Sequence, residues 1–327
     1  MTGRALVFSN EAVISRLKTG FVPYAGDKWY LNRQQDADGR FLARLAFQRD
    51  GAVNRADAPQ GVYVATPGGA LLAYDHFRPS AESFLALLDR ATAAAQPQAA
   101  ELVAGAAAGD TAPADPRFRR DPPPGGRVLN VYTRIPLVPA GPAWTPNQAT
   151  GRDHLWLTAD DLRALRPSAW KTGSRYPAPF ALATRIARFH LADNVRGEPN
   201  FWEQGDVRAC DLFLIVENAA ARRVRLAGTV RLSSPNNERT YDAQVQGYLA
   251  WSKTAAGSAD DERLVRFDWL AWGEASGEGT YTRGAPLGRF PLVIAAGLAP
   301  AGDTAAATVP PQGSRERDAY LNPAAAR

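Results

Sequence analysis

The sequence predicts an α+β protein of two domains, in which a mixed helix-and-strand domain precedes a curved antiparallel β-meander domain with flanking helices. The chain has 327 residues, enough for two domains of about 100–200 residues each. Beyond residue 208, apolar and polar residues alternate over long segments, which is typical of antiparallel strands with one buried face. We expect domains at 1–95 and 127–300, an Ala/Pro-rich linker at 96–126 and a flexible tail at 301–327.

Residues 1–95 predict short helices that alternate with short strands. Asn10 and Ser80 each precede an apolar helical pattern, where their side chains can accept hydrogen bonds from the first free amides. Gly20 ends the first helix, and Pro67-Gly68-Gly69 predicts a tight turn. The predicted elements are a helix over 11–19, a strand over 21–24, a helix over 36–47, strands over 61–66 and 70–74, and a helix over 81–95.

Two stretches of this domain, Val13…Leu17…Phe21-Val22-Pro23…Asp27 and Gln60–Leu72, carry a family resemblance. They resemble segments of bacterial thioredoxin-like proteins, which implies a thioredoxin-like fold for about the first 95 residues. Pro59 lies near the place of the family's cis-proline. The family's redox chemistry uses a Cys-x-x-Cys pair at the start of its first helix. Positions 4–10 contain no cysteine, so the implied module is redox-inactive and not a dithiol oxidoreductase.

Residues 127–300 predict two helices and an antiparallel meander. Thr158 and Asp161 have capping-box spacing at the start of a short helix, and a longer helix is expected over about 179–189. In the last strand, Val265, Phe267 and Trp269 are expected to share one face. The predicted strands cover 128–134, 211–216, 224–232, 241–251 and 265–272.

Two segments of this second half, Arg188–Pro199 and Gly277–Gly284, resemble the C-terminal region of uncharacterised planctomycete-type bacterial proteins. The resemblance brings no established activity with it. The basic residues also suggest a GC-rich bacterial source, because 38 − 4 = 34 of them are arginine. The net charge is +5, but the arginines are scattered and often stand beside Asp or Glu. This pattern does not favour nucleic acid as a partner.

Composition excludes several classes of protein. With one cysteine, the chain has neither a disulfide framework nor a Cys-rich zinc module. The N-terminal residues lack the apolar core and cleavage site of a signal peptide, and no apolar run reaches the length of a membrane span. We therefore expect a cytoplasmic location, where Cys210 is a free thiol.

The densest polar cluster contains His190, Asp193, Arg196 and Glu198, with Asn194 between them. His190 and the two carboxylates are candidates for metal binding, or His190 and Asp193 for a general base with its orienting acid. In the alternative interpretation these residues tie a loop to the sheet. Asp193 would then cap the loop, and Arg196 would pair with Glu198.

The Gly-rich segment 277–284 ends next to two further candidates, Arg283 and Arg289, which could bind an anion. The alternative is a wide loop with glycines at positive φ. Cys210 is interpreted as a packed thiol, with cysteine-based peroxide chemistry as the rival. The aromatic residues of the meander either line a ligand pocket or fill the core; they are Trp251, Trp269, Trp272, Tyr241, Tyr248 and Tyr281.

These observations favour a non-catalytic binding or scaffold protein without metal or cofactor, whose partner is a protein or a small apolar or anionic ligand. The candidate ligand-binding residues are Arg196, Arg283, Arg289, Trp251 and Tyr281. The alternative is an enzyme, with hydrolysis as its candidate reaction, whose site lies around His190 and Arg283 and whose catalytic candidates are His190, Asp193 and Glu198. An enzyme requires His190 and Arg283 to converge on one pocket, whereas a binding protein presents an exposed apolar surface.

Overall fold

The computed structural model describes residues 7–50, 58–76, 80–96, 113–115, 118–136, 150–253 and 262–323. The chain divides into two compact units, Met1–Arg119 and Arg120–Arg327. The class is mixed helix and strand, as the sequence predicts, and it includes an antiparallel sheet of eight strands. No helix in the described ranges is long and apolar enough to cross a membrane.

The N-terminal unit is built from helices around one short hairpin. Its elements are α1 (Glu11–Gly20), the single turn α2 (Lys28–Leu31), α3 (Ala37–Asp50), β1 (Val62–Ala65), β2 (Leu71–Asp75) and α4 (Ala81–Ala95). The side chain of Asn10 accepts hydrogen bonds from Ala12 and Val13, and that of Ser80 accepts one from Ser83, so both predicted N-caps are confirmed. β1 and β2 pair antiparallel, and Val64 packs with the buried face of α4.

The strand predicted at residues 21–24 does not form. Val22 is 96% exposed and Tyr24 is 65% exposed, so neither is buried against a neighbouring strand. Pro23 between them has no amide hydrogen for a strand ladder. No cis peptide bond occurs among the described residues, so Pro59 does not adopt the form that the family resemblance implies.

The second unit contains the large sheet and the helices that pack on it. Its elements are β3 (Arg127–Arg134), β4 (Gly151–Leu157), α5 (Ala159–Leu165), β5 (Arg175–Pro177), α6 (Phe180–Arg185) with a π-helical turn (Ile186–His190), β6 (Val207–Asn218), β7 (Arg223–Ser233), β8 (Thr240–Lys253), β9 (Glu262–Ser276), β10 (Arg289–Leu298), α7 (Thr304–Thr308) and α8 (Arg317–Leu321). The strand order is β4-β3-β10-β9-β8-β7-β6-β5, and every neighbouring pair is antiparallel.

Alternation along the strands gives the large sheet two unlike faces. The core face carries buried residues such as Leu249, Phe267 and Ile294, and it shares one apolar cluster with residues of α5 and α6. Each large apolar side chain buried in this way contributes about 1.5–3 kcal/mol. The open face carries the residues in between, including exposed Gln246 and Leu270. The predicted alternation is therefore confirmed for most of the meander.

The beginning of β9 differs from the prediction because of a local irregularity. The pairing register between β8 and β9 shifts between Ala250 and Trp251. Leu264 is therefore buried, whereas Val265 is 49% exposed and does not share the buried face of Phe267. A bulge changes which residues face the core, and period-two patterning alone cannot locate it.

Both edges of the large sheet are protected. β5 has only three residues and includes Pro177, which makes it a poor template for another strand. At the opposite edge, the amide of Trp156 on β4 donates to the Tyr320 hydroxyl (3.3 Å), and the Trp156 carbonyl accepts from Arg185 (3.1 Å). Tyr320 of the C-terminal segment and Arg185 of α6 thus bond both backbone polar groups of Trp156.

The prediction of a flexible tail at residues 301–327 is wrong for the described part of that segment. Residues 304–308, 312–315 and 317–321 form short helical turns, and Tyr320 is completely buried. The composition of the tail suggested disorder because it has few large apolar residues. Burial of Tyr320 and hydrogen bonds to its backbone anchor the segment instead. Most of the predicted linker lies outside the described residues, and its end forms a turn in which Gly126 donates to Pro123.

Candidate functional site

His190, the first catalytic candidate, lies at the end of the π-helical turn that follows α6. Its Nε2 atom is 2.7 Å from the Tyr320 hydroxyl, and its Nδ1 atom is 3.4 Å from Oδ2 of Asp153 on β4. The His190 side chain has no solvent exposure, and that of Asp153 is 6% exposed. The partners of His190 are therefore Tyr320 and Asp153, and the predicted pairing with Asp193 is wrong.

The hydrogen bond between Tyr320 and His190 has a defined direction. Burial raises the pKa of the Tyr320 hydroxyl far above its ordinary value, so that group stays protonated and can donate to Nε2 of His190. Nδ1 of His190 lies 3.4 Å from Oδ2 of Asp153 and forms no hydrogen bond with any described residue. The other oxygen of Asp153 accepts from the Gln312 amide at 2.9 Å. Both Asp153 and His190 thus contact residues 312–320, which join the C-terminal segment to β4 and α6.

Arg185 on α6 completes the attachment of this segment. Its guanidinium forms an ion pair with Asp161 (2.5 Å) and donates to the carbonyls of Tyr320 (2.9 Å) and Leu321 (2.7 Å). Both charged side chains are almost fully buried. Asp161 also forms the predicted capping box with Thr158, which is confirmed. Arg185 and His190 thus hold the C-terminal segment in place through their bonds to Tyr320. Because this segment covers His190, a substrate could reach its ring only after the segment had moved.

Asp193 and Arg196 hold the loop after the π-helical turn. Asp193 accepts hydrogen bonds from the amides of Val195 and Arg196, and its second oxygen pairs with Nε of Arg196 (2.5 Å). The other Arg196 nitrogens donate to the carbonyls of Thr282 (2.8 Å) and Gly277 (3.0 Å). The expectation that Asp193 caps the loop is confirmed. The guanidinium of Arg196 bonds to Asp193 and to these two carbonyls, so Arg196 ties the loop to the segment 277–284.

Glu198 does not form the predicted pair with Arg196. Its carboxylate pairs with Arg315 of the C-terminal segment instead, because Arg196 is already engaged by Asp193. The three acid–base candidates His190, Asp193 and Glu198 thus have separate partners. Within the described ranges, no three His, Cys, Asp or Glu side chains are grouped so that they could hold a metal ion.

The Gly-rich segment forms the wide loop that was the alternative to an anion site. Gly277, Gly284 and Gly288 have positive φ. Glu278 accepts from the Ala285 amide at 2.7 Å, a bond that lowers the pKa of its carboxyl group. Arg283 is largely exposed, and its guanidinium lies 3.6 Å from the Glu278 carboxylate. A carboxylate within the loop thus already partly neutralises Arg283.

Arg289 begins β10 and pairs with two carboxylates, those of Asp242 (2.7 Å) and Glu274 (2.9 Å). These strand-to-strand pairs do not bring it together with His190, and His190 and Arg283 likewise have no partner in common. A cavity of about 30 Å³ lies beside Arg196, Arg239 and Tyr241. That volume is close to the share of one water molecule in the liquid, roughly 30 Å³, and is too small for an organic ligand.

The aromatic residues of the meander separate into three environments. Trp251, Trp269 and Tyr241 are buried in the core cluster, so the expectation that Trp251 contacts a ligand is wrong. Tyr281 is 69% exposed in the Gly-rich loop. The other two residues, Tyr248 and Trp272, are half-buried on the open face.

Cys210 is a free cysteine at the edge of the core cluster. Burial, with a smaller contribution from the neighbouring Asp211 charge, raises the pKa of its thiol to about 11. A reactive cysteine requires a lowered pKa. The interpretation as a packed thiol therefore agrees with the structure, and peroxide chemistry at Cys210 does not.

A groove of about 640 Å³ lies on the open face across β8, β9 and β10. It is lined by Gln246, Gly247, Tyr248, Asp268, Trp269, Leu270, Trp272, Ala295 and Ala296. The pairing registers explain its shape. Ala295 lies between Tyr132 on β3 and Leu270 on β9, so a small residue separates two large ones in the same row.

Asp268 on β9 and its cross-strand partner Tyr248 on β8 supply polar groups to the groove. Asp268 pairs with Arg266 through both carboxylate oxygens, and the Arg266 guanidinium lies 5.2 Å from the centre of the Tyr248 ring. The Gln246 amide donates to the Tyr248 hydroxyl at 3.2 Å. The groove therefore combines an apolar, partly aromatic floor with polar groups along one side, the composition typical of small-molecule sites.

Of the aromatic residues that sequence reasoning offered for a ligand pocket, Tyr248, Trp269 and Trp272 line this groove, but the sequence did not indicate its place or its other lining residues. The alternation placed Gln246, Leu270 and Trp272 on the wetter face of the meander. The neighbours that complete the groove depend on the order of the strands. β10 pairs with β3 across a long chain separation, and this pairing places Ala295 beside Tyr132.

Comparison with known proteins does not identify the chain. No protein-family model matches it, and no curated protein or solved structure matches it.

Proposed function

We propose that this chain is a non-catalytic binding protein whose ligand occupies the groove on the open face of the large sheet. The observation that carries the proposal is the groove itself, with its volume of about 640 Å³ and its lining of Tyr248, Leu270 and Trp272. Pockets for small molecules have volumes of about 300–1,000 Å³ and mostly apolar linings with a few polar groups. A small organic ligand is thus of the right size for this groove.

The affinity of such a site is expected to be moderate. Burial of about 200 Å² of apolar ligand surface contributes about 5 kcal/mol at roughly 25 cal/mol per Å². Loss of translational and rotational freedom offsets part of this gain. Hydrogen bonds from Gln246 and Tyr248 to a polar group of the ligand would add specificity, because both side chains lie at the groove.

The arrangement of the catalytic candidates supports a binding function over the hydrolytic alternative. His190 is completely buried, and its ring nitrogens face Tyr320 and Asp153. Asp193 and Glu198 are paired with arginines, and Arg283 lies beside Glu278. A general base needs access to a substrate proton, which His190 lacks in this arrangement.

For the N-terminal unit we propose a redox-inactive thioredoxin-like module. The β1–β2 hairpin followed by α4 supports this proposal, since a hairpin and a closing helix end that fold. The absence of cysteine from residues 1–119 removes the family's redox chemistry. An experimentally determined structure of the full chain tests the fold. Among the described residues the hairpin is the only sheet of this unit, so the test is whether the determined structure adds a strand parallel to it. Such a strand would support the proposal, and a complete unit with the hairpin alone would contradict it.

The proposed function is tested with N-phenylnaphthylamine, a neutral aromatic probe whose fluorescence rises in apolar sites. We expect saturable binding by the full chain and a loss of at least about tenfold in affinity for Ala295→Leu, whose side chain would occupy the groove. Ala209→Leu is the matched control, because it adds the same side chain to β6, whose position 209 pairs with Arg231 away from the groove. Absence of saturable binding by the wild type, or equal affinities for the two variants, would overturn the proposal.

A further inference from the structure

Two arginines lie on the open face next to the groove. Arg152 on β4 pairs in register with Tyr132 on β3, and Tyr132 pairs with Ala295 of the groove floor. Arg134, two residues after Tyr132, pairs with Val293 on β10, and Val293 pairs with Trp272. Both arginine side chains are exposed, and the Arg152 guanidinium lies 5.9 Å from the centre of the Tyr132 ring. The two cationic groups therefore bracket Tyr132 at the β3 end of the groove.

These two arginines differ from Arg266 and Arg289, two other arginines of the open face. Arg266 pairs with Asp268, and Arg289 pairs with Asp242 and Glu274. Within the part of the chain that the structure describes, no carboxylate forms an ion pair with Arg134 or Arg152.

Among the described residues, the carboxylates nearest to these arginines in sequence and space do not pair with them. Residues 137–149, which connect β3 to β4, contain neither Asp nor Glu. Asp303 contacts β3 from the C-terminal segment, where its carboxylate accepts from Asn130 (3.0 Å) and from the amide of Ala306 (3.1 Å) and forms no ion pair with Arg134 or Arg152. Asp153 is the neighbour of Arg152 in the chain, yet it lies on the core face beside His190. No carboxylate of the described residues thus neutralises the positive charge at this end of the groove.

We propose that the ligand of the groove is a small aromatic anion, with its ring on Ala295 between Tyr132 and Leu270 and its anionic group between Arg134 and Arg152. This inference rests on the proposed function and specifies the ligand class. A guanidinium presents a planar set of donors that matches the oxygens of a carboxylate or sulfonate. Aromatic side chains accept a flat ring by stacking or edge contact.

The experiment compares two probes that share one ring system. Anilinonaphthalene sulfonate carries an anionic group, and N-phenylnaphthylamine lacks it. We expect the full chain to bind the sulfonate at least about fivefold more tightly than the neutral probe. Combined Arg134→Gln and Arg152→Gln replacement should remove this preference and leave the affinity for the neutral probe within about twofold. Arg163→Gln is the control, since it removes an exposed arginine from α5. The preference should also weaken between about 50 and 500 mM salt, because salt screens exposed charges.

The outcomes distinguish this inference from the function on which it rests. Equal affinities for the two probes, with Ala295→Leu still blocking the neutral one, would overturn the anion preference and leave the binding function intact. Failure of both probes to bind would remove both proposals. A sulfonate affinity that falls with the arginines but not with Ala295→Leu would indicate ion pairing outside the groove, which also overturns the inference.

Discussion

Along β9, Phe267 and Ala271 belong to the main apolar core, whereas Asp268, Leu270 and Trp272 line the groove on the opposite face. The same strand therefore contributes to folding with one set of side chains and to binding with the other. This separation follows from the period of two in a strand, which directs successive side chains to opposite faces. Replacements on the core face should change stability, and replacements on the open face should change binding.

The largest expected effect comes from Phe267→Ala on the core face. Phe267 is 1% exposed, and removal of such a ring leaves a cavity that costs about 3–5 kcal/mol of unfolding free energy. Urea denaturation of the full chain measures this loss. Leu270→Ala is the matched open-face variant, because Leu270 is 40% exposed, and we expect it to cost less than about 1 kcal/mol. Similar losses for the two variants would show that the faces are not distinct.

A smaller loss of stability is expected for Tyr320→Phe. This variant tests whether the C-terminal segment packs on the core side of the large sheet. The variant removes the hydroxyl that contacts Nε2 of His190 and the Trp156 amide. Buried groups left without a partner cost about 1–3 kcal/mol. Tyr281→Phe is the control, since that side chain is 69% exposed. A Tyr320→Phe variant as stable as this control would contradict the closed arrangement around His190.

Replacement of Cys210 is expected to have the smallest effect on stability at neutral pH, and the burial of its thiol is tested by its reactivity. With its pKa raised to about 11, roughly one thiol in a thousand is ionised at pH 8, against about a quarter at an unfolded pKa of about 8.5. We therefore expect iodoacetamide to label the native protein at least about 100-fold more slowly than the urea-unfolded protein, because the thiolate is the nucleophile. Labelling at the same rate in both states would place Cys210 outside the packed core.

The raised pKa of the Cys210 thiol also determines how the free energy of unfolding changes with pH. The neutral thiol is favoured in the folded state, so the contribution is fully present below the unfolded pKa and is lost as pH rises towards about 11. A Cys210→Ala variant should lack this part of the alkaline loss of stability, whatever its stability at pH 7. Denaturation curves of the two proteins between about pH 8 and pH 10 compare the slopes.

Local patterns were sufficient to predict much of the fold. The caps at Asn10, Ser80 and Thr158 are confirmed, since each depends on hydrogen bonds within three residues. The alternation along β6 to β10 indicated which residues face the core, because the strand period does not depend on the neighbouring strand. The strand at residues 21–24 failed for the opposite reason, as a strand exists only where a partner accepts its hydrogen bonds.

The candidate site was less predictable, because its chemistry depends on contacts between distant segments. Closeness in sequence suggested that His190 pairs with Asp193, yet the folded chain directs His190 to Asp153 and Tyr320. The tail suggested disorder by composition, yet bonds from distant residues hold it in place, among them those of Arg185 to its carbonyls and that of its Gln312 amide to Asp153.

The mixed class, the helix caps and the two-faced character of the meander follow from local sequence, since these features arise from periodicity and from bonds within a few residues. The groove and the burial of His190 depend instead on how distant segments meet in the folded chain. Pairing of β10 with β3 places Ala295 beside Tyr132 and brings Arg134 and Arg152 to one end of the groove. Strand order and register create such neighbours between residues far apart in the chain, and no local pattern encodes them.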